Sequence, residues 1–306
     1  MDKSVAAETE SWHEIAEKGS VLGIRFFVAL VGLFGRTAAR AFLAVLMIYY
    51  VAFARTARRH SRIYLNRVGQ PTSLRNVYRH FLQFGRCALD RVFFIRGTSD
   101  GMRVQSHGRE LLLAQKASGR GAILLGAHVG SFEAMRGHAS SFDLPLSVVM
   151  HTQNARQINS VLESLNPQSR VRIIEVGDGG VDFVFRIRTL IEAGEFVAIL
   201  SDRPGKEGSS IPVPFLGANA PFPTGPYQLA AALKCPVYVT LSLYRDDDHY
   251  DVYCERFADE VVVPRKDRET ALREYASRYA EILEKYVRMA PYNWFNFYDF
   301  WAEHTP

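Results

Sequence analysis

Gly121-Ala-Ile-Leu-Leu-Gly-Ala-His128-Val-Gly-Ser-Phe-Glu133 is the stretch that decides the fold. Its apolar run, Ala122 to Leu125, is bounded by glycines and has the length of a buried parallel strand. His128 stands where that run ends. Ser131 offers a helix N-cap, and Glu133 falls in the first turn of the helix that follows. Open α/β folds place their chemistry at this point, beyond the carboxyl end of a strand. The pattern suggests general-base catalysis: the Glu133 carboxylate accepts a hydrogen bond from one imidazole nitrogen, fixes the tautomer and leaves the other nitrogen to take a proton. The structural alternative is a satisfied histidine beside a helix N-terminus, with Glu133 stabilising the dipole.

The chain after Gly119 alternates as an α/β domain does. Leu146–Met150, Val171–Val176 and Glu195–Leu200 read as further strands. A polar stretch, Asn154–Leu165, and an amphipathic one, Asp182–Ala193, read as helices, the latter ending at Gly194. Ser201-Asp202-Arg203-Pro204 closes the fourth strand, so in a parallel sheet Asp202 and Arg203 emerge on the same edge as His128. Gly205–Pro223, rich in Gly, Ser and Pro, reads as a long loop at the rim of a substrate site. A helix over Tyr227–Leu233, a hairpin of Pro236–Tyr244 and Tyr250–Phe257, and a long amphipathic helix over Glu269–Met289 complete the pattern. The expected fold is a mixed, mainly parallel sheet flanked by helices.

The first third is different in kind. The 306-residue chain carries a net charge of +5, but there is no Asp or Glu from Lys18 to Leu89. Over that span Lys18, Arg25, Arg36, Arg40, Arg55, Arg58, Arg59, Arg62, Arg67, Arg75, Arg79 and Arg86 supply twelve positive charges. Phe26–Phe34 and Ala41–Ala54 are apolar runs. At about 1.5 Å per residue the second is roughly 21 Å long, short of the ~30 Å hydrocarbon core. Two membrane arrangements fit, a tilted span with snorkelling Arg36 and Arg40 or a helix or hairpin dipping into one leaflet, and the alternative is a buried soluble helix pair. In both, Arg55, Arg58, Arg59 and Arg62 lie near anionic head groups on the cytoplasmic side. No nucleic-acid-binding pattern accompanies the basic stripe, so a membrane is the expected partner. Residues 1–65 are therefore expected to form a membrane-associated helical segment. Residues 66–306 are expected to form the α/β domain, with Asn66–Arg109 as a helical connector. Cys87, Cys235 and Cys254 show no CxxC spacing and suggest reduced, cytosol-facing thiols.

No GxSxG, GxxxxGK[ST] or complete GxGxxG occurs, which argues against a covalent serine enzyme, an NTPase and a dinucleotide enzyme. No HExxH or paired-carboxylate spacing supports a metal, and none is expected. A histidine–acid pair without a protein nucleophile implies that the nucleophile arrives with the substrate. A hydroxyl deprotonated by His128 would attack an activated acyl carbonyl such as a thioester. Backbone N–H groups over Val129–Ser131, or an arginine, would meet the oxyanion.

A histidine, four residues and an acid after a strand, preceded by a basic hydrophobic segment, resembles the bacterial lipid A late acyltransferases of the lysophospholipid acyltransferase fold. Ser201-Asp202-Arg203, Ile211-Pro-Val-Pro-Phe-Leu-Gly217, Pro223-Thr224-Gly225, Arg170 in Ser-Arg-Val-Arg, and Met289-Ala-Pro291 followed by Trp294-Phe295 look like further family stretches. The resemblance spans roughly Ser11 to Trp301. It implies transfer of a fatty acyl chain from an acyl carrier protein or coenzyme A, as a phosphopantetheine thioester, to a lipid hydroxyl at the cytoplasmic face of the bacterial inner membrane. The thioester is a co-substrate; no bound cofactor is implied. By the same resemblance His128 is the base and Glu133 its orienting partner, while Arg170, Asp202 and Arg203 shape the site and hold anionic groups. Two departures bear on the acceptor. Met150-His-Thr-Gln-Asn-Ala155 replaces the Tyr-Arg-Pro and Asn-Asn-Pro usual in lipid A enzymes. The tail Asn293-Trp-Phe-Asn-Phe-Tyr-Asp-Phe-Trp301 looks like that of relatives acylating aryl polyene or flexirubin-type head groups. A thioester or ester hydrolase using the same residues, and a non-catalytic membrane adaptor, are the other readings.

Overall fold

The computed structural model describes residues 21–96, 101–140, 142–150, 172–175, 180–205, 209–246 and 248–301. Among them, seven strands form one sheet: β1 (Arg103–His107), β2 (Ile123–Gly126), β3 (Leu146–Met150), β4 (Arg172–Glu175), β5 (Phe196–Leu200), β8 (Val237–Tyr244) and β9 (His249–Ala258). Their order is β1-β9-β8-β2-β5-β3-β4, and only the β8–β9 pairing is antiparallel. The expected mainly parallel sheet is what the chain forms. A separate antiparallel ribbon, β6 (Ser210–Phe215) with β7 (Ala218–Pro223), fills the stretch expected to be a loop. The polar stretch Asn154–Leu165 lies outside the described residues.

Both faces of the sheet are covered, and strand alternation shows it. Ile123, Leu125, Val197, Val237 and Val239 point into the larger core, while Ala122, Leu124, Phe196, Ala198 and Tyr238 point into a second one. Side chains at period two reach opposite faces, so a strand buried on both sides is apolar throughout. Helices α4 (Arg109–Ala117) and α5 (Phe132–Ser140) contribute Leu111, Leu112, Phe132 and Ala139 to the smaller core. The larger core takes α6 (Val181–Glu192), α7 (Gly225–Leu233) and α8 (Arg268–Met289).

The basic apolar segment becomes α1 (Val21–Phe53), broken at Gly35, whose φ of 72° is left-handed. Helices α2 (Arg55–Arg67) and α3 (Leu74–Arg96) follow. Ala39, Leu43 and Met47, spaced four apart, bury one stripe of α1, and Leu43 lies against Gly85 of α3. The opposite face leaves Phe42, Val45, Ile48, Tyr49, Tyr50 and Phe53 between 42% and 69% exposed. Gly35–Phe53 is long and apolar enough to cross a membrane, by length and composition alone. Arg36 and Arg40 do not snorkel: both pair with the fully buried Asp90 of α3 and with Asp248 of the β8–β9 turn. Tyr250 donates to the same Asp90 carboxylate at 2.8 Å.

Candidate functional site

The site is set by the register of two neighbouring parallel strands. Gly126 of β2 is paired with Leu200 of β5, and the Ser201 N–H continues the ladder onto the Gly126 carbonyl at 2.9 Å. Two residues beyond each paired position stand His128 and Asp202, so the parallel register brings them side by side at one sheet edge. Tyr279 of α8 fixes the strand end by donating to the Gly126 carbonyl at 2.6 Å.

His128 and Asp202 are joined twice. His128 Nδ1 lies 2.8 Å from Asp202 Oδ1, and the His128 backbone N–H donates to Asp202 Oδ2 at 3.1 Å. The Asp202 side chain is fully buried, whereas that of His128 is 34% exposed. A buried carboxylate accepts only, so Nδ1 carries the proton of the neutral ring. Nε2 makes no hydrogen bond among the described residues and is the nitrogen left for a substrate proton. Burial alone would raise the Asp202 pKa. The His128 contact, the Arg203 guanidinium and a hydrogen bond from Trp294 outweigh it and hold the carboxylate well below its ordinary range.

Glu133 is not the group that meets the imidazole. Ser131 Oγ accepts the Ala134 N–H at 3.1 Å and caps α5 as expected. That cap sets Glu133 on the first turn facing α3, where its carboxylate lies 2.7 Å from Arg91 Nε. Arg136, buried one turn on, stands near the same carboxylate. In this structure the carboxylate at hydrogen-bond distance from the imidazole is that of Asp202, not that of Glu133. Both Asp202 oxygens face donors of His128, its ring Nδ1 and its backbone N–H.

Arg203 is largely occupied as well: its Nη2 donates to the Phe295 carbonyl at 2.6 Å, and its guanidinium lies over the Tyr298 ring at 5.1 Å. Arg170, the remaining expected binding residue, lies outside the described residues, as does the whole stretch 151–171. Of the candidate oxyanion donors, the Gly130 N–H is spent on the Asn293 carbonyl at 2.9 Å. Gly130 itself is required here: its φ is 59°, and a Cβ would lie 1.8 Å from the Ser242 carbonyl oxygen.

One segment behind the site is absent from the sequence-derived set of site residues. Trp294 pairs with Val129 in an isolated antiparallel bridge, and the Phe295 N–H donates to the His128 carbonyl at 3.0 Å. The indole Nε1–H of Trp294 donates to Asp202 Oδ2 at 3.1 Å. Its sequence signals are its place after Met289-Ala-Pro291 and in the aromatic tail Asn293–Trp301. Among the described residues no group of three or more His, Cys, Asp or Glu side chains is arranged to hold a metal ion.

Comparison with known families places residues 19–302 on the profile described as bacterial lipid A biosynthesis acyltransferase. A search of curated proteins returned no match.

Proposed function

Because the chain belongs to the bacterial lipid A biosynthesis acyltransferase family, whose members transfer acyl groups and are membrane-associated, we propose that it moves a fatty acyl chain from a phosphopantetheine thioester to a hydroxyl of a membrane lipid or lipid precursor. The observation that carries this reading is an imidazole at a strand's carboxyl end with Nδ1 held by a buried carboxylate and Nε2 open. Such a base removes the acceptor hydroxyl's proton as the oxygen attacks the thioester carbonyl. The tetrahedral adduct then expels the thiolate, which the imidazolium protonates. A positioned base contributes about 10²–10⁴-fold, and alignment of the acceptor with the thioester supplies further acceleration.

In this reading His128 is the base and Asp202 its orienting acid. Glu133 acts at one remove, pairing with Arg91 so that α5, and the loop before it, stay docked on α3. Arg170 is the cation for the anionic groups of donor and acceptor, and Arg203, held by the Phe295 carbonyl, shapes the site. The exposed apolar face of α1, followed by Arg55, Arg58, Arg59 and Arg62, suits an anionic bilayer surface on the cytoplasmic side of the inner membrane. The stripe already buried on α3 favours a helix lying in one leaflet over a free span. The donor is an acyl carrier protein or coenzyme A, and the acceptor is lipid A-like or an aryl polyene-type head group.

Purified protein supplied with labelled acyl-carrier protein or labelled acyl-CoA, plus a bacterial lipid extract, tests this directly. Label appearing in an extractable lipid supports transfer. Label appearing only as free fatty acid, independent of the extract, indicates a hydrolase and refutes it.

A further inference from the structure

We propose that Trp294 is a positioning residue for the His128–Asp202 pair, an inference that rests on His128 being the base. The Asp202 carboxylate is buried, so each of its lone pairs needs a donor or costs stability. Oδ1 faces His128 Nδ1; Oδ2 takes the His128 backbone N–H and the indole N–H, while Arg203 Nε stands back at 3.8 Å. The indole is thus the side-chain hydrogen bond, other than the histidine's own, that fixes the carboxylate's rotation. An indole N–H only donates, so it cannot compete with His128 for a proton.

The ring has no freedom to leave. Trp294 is fully buried, with Tyr64 and Phe215 at 5.2 Å, Phe300 at 4.8 Å and Trp301 at 6.0 Å between centroids. Its backbone is held on the site side by the Val129 bridge and on the other side by His80, whose Nε2 lies 2.9 Å from the Trp294 carbonyl oxygen. One short segment, Asn293 to Phe295, therefore grips the backbone on both sides of Val129 and the side chain of Asp202. Both members of the pair take their relative position from it. An aromatic residue serving only to fill the core would be replaced by phenylalanine without consequence for proton transfer, and that separates the two roles.

The test compares Trp294→Phe with Trp301→Phe in full-length protein, with acyl transfer assayed from a labelled acyl thioester. The Trp301 indole donates to the Phe215 carbonyl at 3.2 Å, away from Asp202, which makes it the packing control. Trp294→Phe is expected to lower kcat about 10- to 100-fold, the range for losing a hydrogen bond to a charged group, with the thioester KM little changed. Trp301→Phe is expected to leave kcat within about twofold, as for a side chain that makes no contact in the transition state. Nitrogen-15 NMR of histidine-labelled protein reads the pair without turnover: His128 is expected as the Nδ1–H tautomer in wild type and as a tautomer mixture in Trp294→Phe. Should Trp294→Phe not fold, a benzothienyl-alanine isostere at position 294 removes the N–H while keeping the shape. Unchanged kcat, or lost transfer with the Nδ1–H tautomer retained, overturns the proposal. Full transfer by His128→Ala would instead defeat the catalytic reading, while the NMR signal still reports whether Trp294 holds the pair.

Discussion

His80 shows how acid should loosen the support behind the site. It is fully buried in α3, with Ser61 Oγ 2.9 Å from Nδ1 and the Trp294 carbonyl oxygen 2.9 Å from Nε2. The carbonyl can only accept, so Nε2 carries the proton and Nδ1 accepts from the serine. Burial lowers the pKa from 6.5 to about 4, with the Trp294 hydrogen bond opposing only part of the fall. The unfolded state thus binds a proton near pH 6.5 that the folded state refuses until about pH 4. Stability is full above that window and is lost as pH falls through it. Between pH 7 and pH 4.5 the loss from this one group is about 2 kcal/mol, at roughly 1.4 kcal/mol per unit of pKa difference. Urea unfolding at the two pH values, followed by tryptophan fluorescence, measures it. His80→Gln keeps an amide donor for the carbonyl and removes the titration, so its loss over the same interval should be smaller by that amount. Equal losses in wild type and variant would refute the reasoning.

Other perturbations test other joints. Asp202→Asn preserves shape but removes the negative charge and one acceptor from the imidazole, and acyl transfer should fall by at least about 10²-fold while circular dichroism stays native. Gly130→Ala places a methyl on the Ser242 carbonyl at a left-handed φ; a loss of roughly 3–5 kcal/mol in unfolding free energy, or failure to accumulate folded, is expected. Asp90→Asn leaves Arg36 and Arg40 with Asp248 alone. Because breaking a buried ion pair costs about 3–5 kcal/mol, the melting temperature should drop by several degrees, and α1 should become cleavable by protease near Gly35.

The strands bearing His128 and Asp202 were legible because each is a short apolar run ended by polar residues. A parallel sheet also puts both strand ends on one edge, and the β2–β5 register, which pairs Gly126 with Leu200, brings the two residues side by side. The partner of the imidazole was less legible. Glu133 lies five residues from His128, while Asp202 lies 74 positions away and is brought close only by strand order. Local spacing favoured the near carboxylate; the Ser131 cap turns it toward Arg91 instead. Strand β1 is not legible in the sequence because Arg-Val-Gln-Ser-His at an edge carries no apolar alternation. The β6–β7 ribbon was hidden by Pro212, Pro214, Pro221 and Pro223, which a two-stranded ribbon tolerates because each strand has an unpaired edge. Arg36 and Arg40 read as membrane-facing charges since Asp90 and Asp248 are remote in sequence. The α8 helix and the β8–β9 hairpin had long, regular periodicity and were read to within a residue or two.

The most direct measurement is label transfer from a thioester donor to membrane lipid by wild type and His128→Ala, purified side by side and matched for folded content. With the imidazole as base, transfer by His128→Ala should fall about 10²–10⁴-fold with donor binding retained. Transfer within a few fold of wild type would contradict the central role assigned to His128.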